Sequence, residues 1–386
     1  MEETKYKLSD IADVQTGPFG SQLHNEDYVP SGTPIVTVEH LGNRKFTTQN
    51  LPMVSDRDKS RLSKYSLKTG DIVFSRVGSV DRCSYVSEDE DGWLFSGRCL
   101  RVRSGDKVEP LYLYYFFCLP SVKQYIRNIA VGATMPSINT SLLSEIQLDL
   151  PPIDVQKSIA KILSSIDDKI ELNRRINDNL EQQAQALFRS WFIDFEPFRG
   201  GKFVESELGM IPEGWRVGTL GELIEIKYGK DHKKLQDGPI PVFGSGGIMR
   251  YAERPLYSEE SVLIPRKGTL NNVLYVSQPF WTVDTMFYSV MKSHGIAKFI
   301  YLFISRLDLA SMNSGSAVPS MTTEILNGLK LVIPTNDVMA EFISLITPLF
   351  ESRGKNHAEN RNLAELRDSL LPKLMSGELK IEEMNR

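Results

Sequence analysis

Two kinds of apolar spacing alternate along this chain, and each occurs twice. In residues 155–191, Val155, Ile159, Ile162, Ile166, Ile170, Asn173, Asn177, Leu180, Ala184, Leu187 and Trp191 step by fours and threes. Residues 338–374 repeat the steps with Val338, Phe342, Leu345, Leu349, Arg353, Asn356, Asn360, Leu363, Arg367, Leu370 and Leu374. Such steps fall on one helix face, so both stretches are predicted as long helices sharing a coiled-coil seam, with one stutter at Ile166–Ile170. Each starts just after Pro151-Pro152 or Pro334, with Asp154 and Asp337 placed as N-caps. About 38 residues at 1.5 Å each make a rod of roughly 55–60 Å. Elsewhere the spacing changes. Ile35-Val36-Thr37-Val38, Ile72-Val73-Phe74 and Val262-Leu263-Ile264 are short apolar runs among Gly, Pro, Asn and Asp, which predicts strands and turns. Patches near Leu111–Arg127 and Lys298–Met312 read as helical, and the aromatic run from Leu111 to Phe117 reads as core.

The alternation is a true internal repeat. Gly132-Ala-Thr-Met-Pro-Ser-Ile-Asn-Thr140 returns 183 residues later as Gly315-Ser-Ala-Val-Pro-Ser-Met-Thr-Thr323. From Gly132 to Phe192 the offset holds without a gap, and 14 of 61 positions are identical, which fixes the length of the helical part. Earlier segments match at drifting offsets: Leu8–Gly17 with Leu220–Gly229, and Gly70–Gly78 with Glu260–Gly268. The plan is A–B–A′–B′, a variable β-rich A and a helical B of constant length. Two large copies do not make a solenoid. Asn173, Asn177 and Asn179 recur as Asn356, Asn360 and Asn362, and amides in an apolar seam are expected to fix register. Phe195–Lys202 reads as a Pro/Gly hinge, after which Ile211-Pro-Glu-Gly-Trp215 opens the second copy.

Composition narrows the classes. A length of 386 residues suits two domains with connectors. No apolar run reaches the roughly 18 residues of a membrane span, and the acidic, polar start Met1-Glu-Glu-Thr-Lys5 does not read as a secretory signal. Three widely spaced cysteines, Cys83, Cys99 and Cys118, fit core thiols in a reducing cytoplasm. The balance of 45 basic and 49 acidic residues, net −4, is unusual for a lone DNA-binding domain. DNA affinity would have to come from local patches or from partner subunits.

Catalytic patterns are incomplete. Asp149-Leu-Pro-Pro-Ile153 departs from the amino-methyltransferase signature by an inserted Leu and by Ile in place of the aromatic. Glu213, Glu225 and Lys227 could form a metal-dependent nuclease set, but the first copy has Asp13-Val-Gln15 there, without the lysine. Gly244-Ser-Gly-Gly247 lacks the rest of a phosphate loop and reads as a turn. His24, His40, His232, His294 and His357 show no metal-ligand spacing, so no metal site and no catalytic residue are assigned.

A protein with two similar units and a rigid spacer can present two surfaces at a fixed separation. Base readout needs polar and basic side chains on loops. The first copy offers Ser21 and Gln22, Asn43-Arg44-Lys45, and the turn from Arg76 to Ser79, with Arg57, Lys59, Arg61 and Lys64 better suited to phosphates. The second offers Lys230, His232, Lys233, Lys234, Ser245, and Arg266-Lys267-Gly-Thr269. Arg76 and Arg266 share a post-strand turn followed by Gly.

Over nearly its whole length the chain resembles the specificity subunits of type I restriction–modification systems. The resemblance rests on the A–B–A′–B′ plan and on Gly-x-x-Met/Val-Pro-Ser-x-x-Thr. It also rests on Leu150-Pro-Pro-Ile-Asp-Val-Gln-Lys157, on Leu180 with Ala186-Leu-Phe-Arg-Ser-Trp-Phe192, on Leu366–Gly377, and on Gly17-Pro-Phe-Gly-Ser21. It implies an α+β fold with two β-rich target recognition domains (1–150 and, with the hinge, 197–333) separated by two long antiparallel coiled-coil helices (151–196 and, with the tail, 334–386) in a pseudo-twofold repeat. It further implies a non-catalytic, cytoplasmic subunit that reads a bipartite double-stranded DNA site. Its partners would be two methyltransferase subunits carrying S-adenosylmethionine and nuclease–translocase subunits using ATP and Mg, while the chain itself holds no cofactor. Competing readings are an orphan DNA-binding scaffold without restriction and a self-contained nuclease using the Glu213, Glu225 and Lys227 set.

Overall fold

The run Ile72–Ser75 is a strand buried at every position, and so is its counterpart Ser261–Pro265. A strand with no polar side must be covered on both faces. In a computed structural model, which describes residues 4–18, 20, 22–312 and 320–380, each of these strands separates two cores. Ile72 and Phe74 face one core and Val73 the other; Val262 and Ile264 face one and Leu263 the other. This is the period-two alternation of a strand, used to join three layers.

The chain divides into two compact units, one of Met1–Leu172 with Glu359–Arg386 and one of Asn173–Ala358. In the first, Ala12–Thr16, Cys99–Ser104, Ile72–Ser75 and Cys83–Tyr85 form an antiparallel sheet in that order. In the second, Ile224–Tyr228, Met286–Met291, Ser261–Pro265 and Leu274–Val276 do the same. A smaller sheet packs on each, and in both it contains a parallel pair: Thr33–Val36 with Leu94–Phe95, and Ile240–Gly244 with Trp281–Thr282. A third pairing closes each unit at its helix, Thr4–Lys7 with Gln147–Leu150 and Arg216–Thr219 with Lys330–Ile333. The hairpin Phe203–Ser206 and Gly209–Pro212 has no counterpart among the described residues of the first unit.

The predicted long helices are Ile153–Phe192 and Asn336–Met375, 40 residues each. They are called the first and second spacer helices below. Both begin earlier than expected, because the Pro152 carbonyl accepts from Val155 and the Thr335 carbonyl from Met339. Asp154 and Asp337 therefore lie in the first turn instead of at the caps, where their charge still complements the helix dipole. In the first unit Ile159, Ala160 and Leu163 of the first helix and Leu371 and Leu374 of the second complete the core over the large sheet. In the second unit this is done by Ala184, Phe188 and Phe192 of the first helix and Phe342, Ile346 and Phe350 of the second. The seam prediction misses Leu163, Phe188 and Ile346, and Leu345 is 44% exposed. A stripe that must also meet a sheet is wider than a coiled-coil seam and drifts with the 3.6-residue period.

Other local expectations shift for identifiable reasons. Val38 leaves the strand for a short 3-10 turn, Val38–His40, where His40 Nδ1 accepts from the Thr37 backbone at 3.2 Å. Pro120 divides the first helical patch into Pro110–Cys118 and Pro120–Ile129, since proline cannot donate inside a helix. The second patch is helical only over Ala297–Ile304. Cys83 and Cys99 are buried, and burial pushes the Cys99 thiol up to about 12. Among the described residues no helix is long and apolar enough to cross a membrane.

Phe342 is fully buried, with its ring centroid 4.7 Å from that of Phe192 and 5.5 Å from that of Trp191. Phe342→Ala is expected to lower unfolding free energy by about 3–5 kcal/mol in denaturant titrations. Leu345→Ala, at the exposed position three residues on, should cost under about 0.5 kcal/mol. Equal losses would mean that the stripe has been assigned to the wrong face.

Candidate nucleic-acid interface

The chain leaves the central strand of each unit in a tight turn that carries an arginine. Gly78 of the first turn has φ +74° and Gly268 of the second +83°, a region glycine enters without a Cβ penalty. Arg76 Nη1 donates to the Gly97 carbonyl at 3.3 Å and to Thr16 Oγ1 at 3.4 Å. Arg266 Nη1 donates to the Asp284 carbonyl at 3.3 Å, and its guanidinium lies 5.3 Å from the Tyr228 ring centroid. Gly97 and Asp284 both stand two residues before the neighbouring strand, and Thr16 and Tyr228 both end the edge strand. The two arginines thus occupy one position of the repeated fold.

The repeated motif straps these turns down. The Arg76 carbonyl accepts from Ile138 and the Arg266 carbonyl from Met321, each at 2.9 Å. Val77 forms a bridge with Ser137, and Lys267 with Ser320. Asn139 and Thr322 then cap the short helices Thr140–Ser144 and Thr323–Asn327. Gly315–Pro319 of the second motif lies outside the described residues, as do Phe19 and the candidate Ser21.

The other first-copy candidates have varied surroundings. Asn43 is exposed, but Arg44 (φ +65°) donates to Asp168 at 2.8 Å and to the Ser164 carbonyl at 3.3 Å on the first spacer helix. Burial works against the Arg44 charge, yet Tyr115, Asp168 and Asp167 outweigh it and raise its pKa. Lys45 stands 3.8 Å from Glu171 of the same helix. These two cations fasten the loop to the helix. Arg61 is held by Asp58 at 2.9 Å and the Gln22 carbonyl at 2.5 Å, while Tyr65 donates to Gln22 Oε1 at 2.6 Å. Arg57 and Lys59 are exposed on the helix Asp56–Arg61; Ser79 and Lys64 are exposed too, Lys64 lying 4.8 Å from the Tyr65 ring centroid.

In the second copy the candidates converge. His232, Lys233 and Ser245 line one cleft of about 600 Å³ with Asp231, Met249 and Asp284. The Asp231 carboxylate accepts from the Lys233 backbone at 3.1 Å, which lowers its pKa. His232 Nδ1 is buried without a hydrogen-bond partner. A Cβ at Gly268 would stand 2.7 Å from Ser245 Oγ, so the arginine turn abuts the hairpin tip closely. Lys230, Lys234, Lys267 and Thr269 are exposed.

Of the repeated asparagines, Asn173 and Asn177 are buried. Asn356 donates to Asn177 Oδ1 at 2.9 Å, and Asn360 to the Ile170 carbonyl at 3.3 Å. Asn179 and Asn362 are exposed, two residues and therefore over half a turn away from the seam positions Asn177 and Asn360. They lie off the face on which Asn177, Asn356 and Asn360 bond between the helices. Lys227 pairs with Glu225 on an exposed strand face, and no cluster of three or more His, Cys, Asp or Glu among the described residues could hold a metal ion.

Comparison with known proteins returns the same two-copy plan. The model of the type I restriction modification DNA specificity domain matches residues 1–182 and again residues 212–357. The chain belongs to this type I specificity family. It is similar to the type I restriction enzyme MjaIX specificity subunit of Methanocaldococcus jannaschii, 28% identical with 98% of this chain and 94% of the relative covered. It is also similar to the HindI specificity subunit of Haemophilus influenzae, at 24% identity over 87% and 92% of the two chains. The crystal structure of the type I restriction–modification S subunit from M. genitalium shares its fold, with a TM-score of 0.59, 19% identity, and 97% and 96% coverage. As a type I specificity chain it serves DNA sequence recognition and is not itself catalytic.

Within this family frame, two classes of cation are separable by experiment. Arg44→Ala should lower stability by about 1 kcal/mol, a modest figure because Asp168 is largely exposed, and leave the salt dependence of DNA affinity unchanged. Lys233→Ala should instead reduce the slope of log affinity against log salt by about 1. Titrations of the assembled complex at several salt concentrations check both; a reduced slope for Arg44→Ala would make it a phosphate contact.

Proposed function

We propose that each unit reads one half of a bipartite DNA site through the loops around Arg76 or Arg266. The observation that carries the reading is the common anchorage of these arginines. One amino group of each is fixed on a backbone carbonyl, which leaves Nη2 and Nε uncommitted among the described contacts. Two adjacent N–H groups in a fixed plane suit a bidentate contact with the O6 and N7 edge of guanine. The surrounding loops differ between copies: in one a loop is tied back by Arg44, in the other a glycine-tipped hairpin faces a cleft. Two different half-sites follow.

Lys230, Lys233, Lys234 and Lys267 in one copy, and Arg57, Lys59 and Lys64 in the other, supply phosphate contacts. With a net charge of −4 such contacts are few, and two methyltransferase subunits and the nuclease–translocase subunits supply the rest. S-adenosylmethionine belongs in this reading to the methyltransferases, and ATP and Mg to the translocases. The seam asparagines fix how the spacer helices pair, and the constant length of those helices sets one gap between half-sites.

Exchanging residues 213–333 for the same segment of another family member should change one half of the recognised site and leave the other intact. A simultaneous change in both halves would overturn the division of labour. Arg76→Ala and Arg266→Ala should each weaken specific binding by about 1–3 kcal/mol and relax one base position, in different halves. Unchanged affinity and specificity in both variants would exclude these contacts.

A further inference from the structure

We infer that Met249 is a specificity-determining residue that reads the C5-methyl group of a thymine in the half-site of the second unit. The inference rests on the reading of that unit as a DNA reader and assigns one of its contacts. Ile240–Gly244 pairs with Gly247–Ala252, but the register slips: Val242 faces Arg250 and Phe243 faces Ile248. Met249 is the extra residue of this β-bulge. Bulges re-aim a side chain and concentrate at functional sites.

The re-aimed side chain is a large apolar group left 59% exposed, with Ile248 beside it at 47%. Burying neither is a cost unless something covers them. Met249 lies over Gly244, where an added Cβ would stand 2.5 Å from Met249 Sδ, so the glycine makes room for it. It lines the cleft with His232, Lys233 and Ser245. Arg250, next in the strand, bonds the Leu235 carbonyl at 2.8 Å and Asp237 at 3.0 Å, which locks the hairpin to the lysine-bearing loop.

The occupant follows from charge and shape. Lys230, Lys233, Lys234, Arg266 and Lys267 are near in chain and fold, against Asp231 and Asp284, while Asp237 is paired with Arg250, on a protein that is acidic overall. This local positive charge suits phosphates, and a two-stranded ribbon fits the major groove. In that groove thymine alone among the four unmodified bases presents a methyl group, read by apolar contact. A methionine at the ribbon tip has the reach and softness for it.

The test uses the full complex with its methyltransferase subunits and its own recognition duplex, identified by methylation mapping. Each thymine is replaced singly by uracil, which removes only the methyl group. Wild type should lose about three- to fivefold in affinity at one thymine of the half-site that follows residues 213–333, the worth of one buried methyl. Met249→Ala should bind thymine and uracil duplexes alike at that position, while keeping discrimination at every other base. Gly244→Ala, which displaces the methionine, should behave in the same way. Wild-type indifference to uracil throughout that half, a half-site without any A·T pair, or a Met249→Ala variant that still discriminates would overturn the inference. Enhanced 2-aminopurine fluorescence at one base step, lost in Met249→Ala without any uracil effect, would show a wedge between bases and also overturn it. Failure of the complex to select any sequence would refute the DNA-reading assignment itself, a result distinct from all of these.

Discussion

Each recognition fold has a central strand that faces two ways, and one of its faces looks into a core that the spacer helices help to build. Ile72 and Phe74 share one core with Ile159, Leu163, Leu371 and Leu374; Val262 and Ile264 share another with Phe188, Phe192, Phe342 and Ile346. Removing the helices would expose an apolar face of several large side chains, each worth about 1.5–3 kcal/mol when buried. The helices are therefore part of each domain's core as well as a connector. The strand's other face carries the smaller sheet.

That layering explains how one chain tolerates two divergent readers. The turns that carry Arg76 and Arg266 issue from the central strand and are strapped by the repeated motif through backbone hydrogen bonds. Backbone bonds do not depend on side-chain identity, so the strap survives when neighbouring residues change. Positions of the motif have geometric duties. Gly132 takes φ +112°, and a Cβ there would stand 2.7 Å from the Met135 carbonyl; Asn139 and Thr322 are caps. What the repeat preserves is the place of an arginine, and what it releases is its surroundings.

The sequence carries the large-scale plan because the repeat has a constant offset and the helices have a clear period. The strands Ile72–Ser75 and Ser261–Pro265 were legible as apolar runs. The details that failed were those decided by tertiary contacts. Leu345 and Ile346 cannot be ranked from spacing alone, since the stripe is set by a sheet that periodicity does not reveal. Arg44 looks like a groove-entering cation until Asp168, 124 residues away in sequence, is seen to accept from it. Met249 carried no signal at all, because a bulge is a property of register between two strands and neither strand announces it.

Net acidity and DNA recognition are compatible once charges are sorted by partner. Several conspicuous cations neutralise neighbours within their own unit: Arg103 grips the buried Asp71 through two bonds at 2.7 and 2.6 Å, Arg353 pairs with Glu181, and Arg367 donates to Asp167 at 2.7 Å. Such pairs contribute nothing to phosphate binding and would be costly to break where one member is buried. Lys230, Lys233, Lys234 and Lys267 of the second unit are exposed and enter none of these pairs. A reader with few uncommitted charges gains little from non-specific attraction, since that term scales with the number of phosphates neutralised. Its discrimination between sequences then depends on short-range contacts at the turns. In the proposed reading, an acidic specificity chain keeps base choice in its own loops and leaves most of the general affinity for DNA to partner subunits.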